Sequence, residues 1–169
     1  MNIKYVARTI WRHLKVVLLT LLGCFVVLAI AGSIYDHNQT LKQAKAEVAS
    51  GNESADWGFF ESAVKSYNEA MKLDPHLATA YEGLARSYNV LKNYDEALTA
   101  SNKCIELDNK NFDCWVHKGY AAYSQDDCTT AIAALYHASM MDNSSADQDF
   151  VDRGLQKFMN SGKCAGVSP

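Results

Sequence analysis

The sequence predicts an all-α chain: one N-terminal transmembrane helix, then three helix-turn-helix hairpins in a stack, closed by a C-terminal capping helix. Three observations carry this. Twenty consecutive uncharged residues run from Val16 to Tyr35. Beyond them, aromatic and small residues recur with a period of 34. One further amphipathic stretch lies beyond the last period.

The uncharged run is dominated by Leu, Val, Ile and Ala, and its length matches what a helix needs to cross the hydrocarbon core of a bilayer. A core helix of a soluble domain is seldom apolar on every face. Residues 1–15 form a basic tail with Lys4, Arg8, Arg12, His13 and Lys15, whereas the far side opens with Asp36 and has no Lys or Arg before Lys42. That asymmetry keeps the tail in the cytoplasm and exports the chain from Asp36 onward. Trp11 and Tyr35 sit where amphipathic rings favour the two interfaces. The expected location is therefore the bacterial inner membrane, single-pass, with residues 16–35 as a signal anchor and the repeat domain periplasmic. Two other readings of the segment stay open. Ala29-Ile30-Ala31 before Gly32 has the form of a processing site, which would leave a soluble periplasmic protein. Leu21-Leu22-Gly23-Cys24 looks like a lipidation signal, although eleven mostly apolar residues come after Cys24.

From Asp36 onward there are 12 Lys and Arg against 19 Asp and Glu, a net charge of −7. Binding to nucleic-acid phosphates calls for clustered positive charge, so nucleic acid is excluded as a partner.

The period of 34 is the strongest signal. Tyr81 and Ala85 coincide with Trp115 and Gly119, each pair on the first helix of a hairpin. The second helices, Phe60 to Asp74, Tyr94 to Asp108 and Cys128 to Asp142, fall into step more fully. Ala63, Ala97 and Ala131 coincide, as do Ala70, Cys104 and Ala138, then Leu73, Leu107 and Met141, with Pro75, Asn109 and Asn143 after each helix. An aromatic, a small residue, two alanine positions seven apart and a helix stop: this resembles the tetratricopeptide repeat. The resemblance implies a right-handed superhelical stack with repeats at about 44–77, 78–111 and 112–145, inside a domain spanning 36–161. Hairpins of this kind stack because none buries its apolar stripe alone.

The first repeat fits least. Its register puts Glu47, Ser50 and Ser54 where an aromatic, a Leu and a Tyr are expected, leaving Gly51 in agreement. A helix is expected around Thr40 to Ala49, from Leu41, Ala44 and Val48 at helical spacing, with Asn52 to Asp56 polar enough to fray or loop. At the other end, residues 146–160 read as the capping helix. Phe150, Val151, Leu155, Phe158 and Met159 form its apolar stripe, and Asp147, Asp149 and Asp152 suit its N-terminal dipole. Residues 162–169 are a loose tail.

Within the hairpin arrangement that the resemblance implies, Cys114 and Cys128 lie at opposite ends of one helix, on the order of 20 Å apart, beyond disulfide reach. The arrangement suggests Cys104 with Cys114 and Cys128 with Cys164. The alternative is that Cys104 stands in for a core alanine and the others are free thiols. No pair has the C-x₂₋₄-C spacing of a zinc site.

In this family the first helices line a concave groove that holds peptides or partner helices. Carried over by position, the second repeat offers Glu82, Arg86 and Asn89, and the third Val116, His117, Tyr120 and Tyr123. The opposing reading is a solvated helix face. Chaperone-binding members grip a C-terminal carboxylate with Lys and Asn in the first repeat, Asn in the second, and Lys and Arg in the third. The corresponding residues here are Val48, Asn52, Gly83, Asp113 and His117, and Asn52 alone matches. The resemblance therefore does not imply a chaperone-tail clamp.

No phosphate loop, H-E-x-x-H or G-x-S-x-G motif is present, and His117 and His137 have no third ligand at a metal-binding spacing. No enzyme, metal or cofactor is expected. Asp126-Asp127 sits at a turn, where Asp can cap the next helix. Asn38-Gln39-Thr40, Asn52-Glu53-Ser54 and Asn143-Ser144-Ser145 fit the glycosylation pattern, which matters only in a eukaryotic secretory setting. The functional expectation is a membrane-tethered adaptor or assembly factor that holds a partner protein or peptide in its groove. The alternative is a structural subunit of an envelope complex, packing through its convex face or self-associating through its first repeat.

Overall fold

The uncharged run continues into the first repeat as one long helix in the computed structural model, which describes residues 3–141 and 145–164. This helix, α1, spans Ile3–Asp56. Among the described residues, one helix is long and apolar enough to cross a membrane: the stretch Val17–Asp56 contains an 18-residue window of mean hydropathy 2.6, none of it buried. The chain divides into two units, residues 1–42 and 43–169.

The second unit is helical throughout. After α1 come α2 (Phe60–Leu73), α3 (Ala78–Val90), α4 (Tyr94–Leu107), α5 (Phe112–Ser124), α6 (Cys128–Ser139) and α7 (Ser145–Met159). Each hairpin folds on itself, α3 with α4 and α5 with α6, while α2 packs on α3, α4 on α5 and α7 on α6. Asn143, expected as a helix stop, and the tail beyond Cys164 lie outside the described residues.

The small residues sit where the helices touch. Ala63, Ala97 and Ala131 are fully buried, and so are Ala70, Cys104 and Ala138. Two apolar clusters result. One gathers Val48, Ala55, Tyr67, Leu84 and Ala100; the other gathers Val116, Ile132, Leu135, Val151 and Phe158. The capping stripe divides: Val151 and Phe158 enter the core, whereas Phe150 and Met159, expected in it, stay exposed.

The expected fraying at Asn52 to Asp56 does not occur, because α1 remains helical to Asp56. Tyr67 is the cause. Its ring, on α2, fills the space between Gly51 of α1 and Gly83 of α3. A Cβ on Gly83 would come within 2.2 Å of the ring and one on Gly51 within 2.6 Å, so both positions admit only glycine while Tyr67 stands there. The hydroxyl donates to Asn52 Oδ1 at 2.7 Å. Ala55 is buried one turn further on, so the polar residues between simply face outward.

The hairpin turns keep the same register. Gly58, Lys92 and Asp126, spaced 34 apart, all take a positive φ, of 82°, 62° and 66°. Asp127 then caps α6 by accepting from the Thr130 amide, and Asn111 caps α5 by accepting from the Cys114 amide.

Candidate partner-binding groove

The first helices of successive hairpins lie side by side. Asn89 Nδ2 on α3 donates to the His117 carbonyl on α5 at 2.9 Å, and the Arg86 guanidinium lies 3.4 Å from the Asp56 carboxylate on α1. Two hollows open along this face. One, of about 250 Å³, is lined by Arg86, Asn89, Val90, Tyr94, His117, Tyr120 and Ser124. The other, of about 570 Å³, is lined by Ala49, Asn52, Glu53, Asp56 and Trp57.

Four of the residues expected from the sequence, Arg86, Asn89, His117 and Tyr120, therefore share one hollow. Three others do not join them. Glu82 accepts from Asn111 Nδ2 at 2.8 Å and is held at that contact. Val116 is 5% exposed and belongs to the C-terminal core, so it offers no binding surface. Tyr123 stacks on Phe158 of α7 with ring centroids 3.8 Å apart, which gives it to the cap. Asn52 and Trp57 were outside the expected set. Asn52 precedes Arg86 by 34 residues and Tyr120 by 68, so the register itself points to it. Trp57, 74% exposed, has no partner position in the other turns, where Leu91 and Gln125 stand.

The electrostatics are mixed. Burial and the Arg86 charge push the His117 imidazole down to about 4, so it is neutral near pH 7. Burial raises the Glu82 carboxyl, against the opposing pull of the Asn111 hydrogen bond. Among the described residues lining the two hollows, Arg86 is the one cation, and its exposed contact with Asp56 binds it weakly. Asn89 Oδ1 is buried and has no hydrogen-bond partner among the described residues. This face can offer amide, phenol and guanidinium groups to a polypeptide, but little positive charge.

Two pairs of cysteines come together, one joining α4 to α5 and the other joining the start of α6 to the turn after α7. Cys104 and Cys114 have Cα atoms 6.1 Å apart, and Cys128 and Cys164 5.4 Å, both within bridging range. His137 stacks on Trp115, with ring centroids 3.9 Å apart. Among the described residues, no group of three potential ligands could hold a metal ion.

Residues 78–111, which are α3, α4 and the turns around them, match the family model of the tetratricopeptide repeat. The helical stack is of the tetratricopeptide-repeat type. The Protein SGT1 homolog of Oryza sativa subsp. japonica is 37% identical over 76 residues, covering 45% of this chain and 21% of that protein. The chain spans less than a third of the length of the curated relatives it matches. Among solved structures, the Arabidopsis OM64 tetratricopeptide domain superposes with a TM-score of 0.64 at 24% identity, over 70% of this chain and 98% of that one. The first tetratricopeptide domain of Spaghetti (RPAP3), solved bound to the HSP90 peptide SRMEEVD, gives 0.64 at 18% identity, over 69% and 90%. At these identities the likeness establishes the fold. The repeat also explains why Gly58, Lys92 and Asp126 share one conformation: they are the same turn position in successive hairpins.

Proposed function

We propose that this chain is a membrane-tethered adaptor or assembly factor whose tetratricopeptide repeats hold a segment of a partner protein along the first-helix face, with no catalysis of its own. The observation that carries the reading is the convergence of Arg86, Asn89, His117 and Tyr120 on one hollow, continued by Asn52 across α1. Their amide, guanidinium and phenol groups suit a peptide backbone.

Residues 16–35 serve as the tether in this reading, with the repeats on the outer face of a bacterial inner membrane. Support comes from the exposed apolar surface of α1 and the basic residues before it. An oxidising compartment also suits the cysteines, which we take to be disulfides in both pairs.

The partner differs from the acidic-tailed peptide bound to Spaghetti. A carboxylate clamp needs cations and a free amide at positions held here by Val48, Asn52, Gly83, Asp113 and His117. Val48 and Asp113 carry no positive charge, Gly83 has no side chain and lies against the Tyr67 ring, and His117 is neutral, which leaves the Asn52 amide as the one clamp donor in the set.

Affinity capture of the full chain in detergent tests the reading. Arg86→Glu should cut recovery of the co-purifying protein several-fold while leaving the thermal unfolding midpoint unchanged, and a peptide ending in Glu-Glu-Val-Asp should not compete. Equal recovery by both proteins, or competition by that peptide, would reject the groove as described.

A further inference from the structure

On the opposite side of the hairpins, a hollow of about 620 Å³ opens among α2, α3 and α4. Met71, Tyr81, Leu84 and Tyr88 give it an apolar lining; Asp95, Glu96 and Lys103 of α4 stand along it.

The 34-residue register supplies an internal comparison. Tyr81 corresponds to Trp115, and the two rings are anchored alike. The Tyr81 hydroxyl donates to the Pro75 carbonyl at 3.2 Å, and Trp115 Nε1 donates to the Asn109 carbonyl at 3.1 Å. Pro75 and Asn109 are themselves equivalent. On Trp115 lies the imidazole of His137, at 3.9 Å and nearly parallel to it. The residue equivalent to His137 is Lys103, whose ammonium goes instead to Glu106 at 2.8 Å. Among the described residues no ring stacks on Tyr81. The third hairpin thus covers its ring with a planar side chain of its own, and the second does not.

A planar group from an occupant would take on Tyr81 the place that the His137 ring takes on Trp115. A second copy could offer Trp57 or Phe59, both exposed, but Asp56 and Glu61 flank them and would meet Asp95 and Glu96. Like charges across a contact oppose it. A basic partner meets no such opposition. Lys103 marks the Tyr81 end, and Glu96 lies seven residues earlier on α4, about 10 Å away at the helical rise. We propose that this hollow docks an amphipathic helix of another protein, which lays an aromatic side chain on Tyr81 and sets a Lys or Arg, about seven residues away, against Asp95 and Glu96.

Phage-displayed helical peptides of about 15 residues, roughly four turns, panned on the full chain in detergent, provide the test. The enriched peptides should carry an aromatic and a Lys or Arg seven residues apart. Their binding should fall about tenfold or more with Lys103→His, which sets an imidazole over Tyr81 as His137 lies over Trp115, and with Glu96→Lys. Arg86→Glu, on the other face, should leave it unchanged. If Lys103→His shifts the unfolding midpoint, Glu96→Lys decides. No enrichment, peptides lacking the aromatic–basic pattern, or binding indifferent to both variants would overturn the proposal. So would a dimer in sedimentation that Lys103→His dissociates, since the occupant would then be a second copy.

Discussion

Tyr67 shows how one side chain can set the form of a whole face. Fully buried on α2, it leaves no room for a Cβ at Gly51 or Gly83, and its hydroxyl orients Asn52. Gly83→Ala should therefore destabilise the fold by about 1–3 kcal/mol through overpacking, measured by urea denaturation. In a Tyr67→Leu background the same change should cost less, because the obstructing ring is gone. Non-additivity of the two changes is the signature of direct contact. His117 predicts a pH dependence. The unfolded chain takes up a proton near the ordinary value of 6.5, whereas the folded chain resists until about 4. Between those values the unfolded state binds more protons, so stability is complete above pH 6.5 and declines as the pH falls toward 4, by about 3 kcal/mol. Glu82, with its carboxyl raised, acts in the opposite sense at the acid end. The slope lost on replacing His117→Gln, read from urea midpoints between pH 7 and 4.5, isolates the imidazole.

At the scale of elements, the turns test the repeat more sharply than the helices do. Gly58, Lys92 and Asp126 share the left-handed conformation that a side chain opposes. Gly58→Ala should lose about 1 kcal/mol, with open space around the new methyl so that backbone strain is the sole cost. Lys92→Gly should be neutral to slightly stabilising. Thermal unfolding of both variants checks the pair, and a Gly58→Ala protein as stable as the parent would contradict it. Helix order, the 34-residue register and the Asp127 cap were legible in the sequence because each rests on local pattern. The first repeat was legible only in part. Glu47, Ser50 and Ser54 break its periodicity, and what restores it is a ring from the next helix, a contact no spacing in α1 reveals. The groove divided on the same ground. Arg86, Asn89, His117 and Tyr120 come from position alone, whereas the loss of Val116 to the core and Tyr123 to Phe158 depends on where α7 packs.

At the scale of the molecule, the chain carries an exposed apolar helix and a stack of repeats with two faces of different character. Among the described residues, the hollows of the first-helix face are polar and aromatic with one cation; the opposite hollow is apolar, with Asp95, Glu96 and Lys103 along it. Both argue for polypeptide partners and against phosphate-rich ones. The central claim is that the first-helix face carries the partner. Site-specific photo-crosslinking in intact membranes tests it most directly, with the probe placed at Val90, which is exposed in the Arg86 hollow, and as a control at Glu61, exposed on α2. Position 90 should give a discrete protein adduct that Arg86→Glu abolishes and that position 61 does not give. No adduct at 90, or the same adduct from both positions, would contradict the claim.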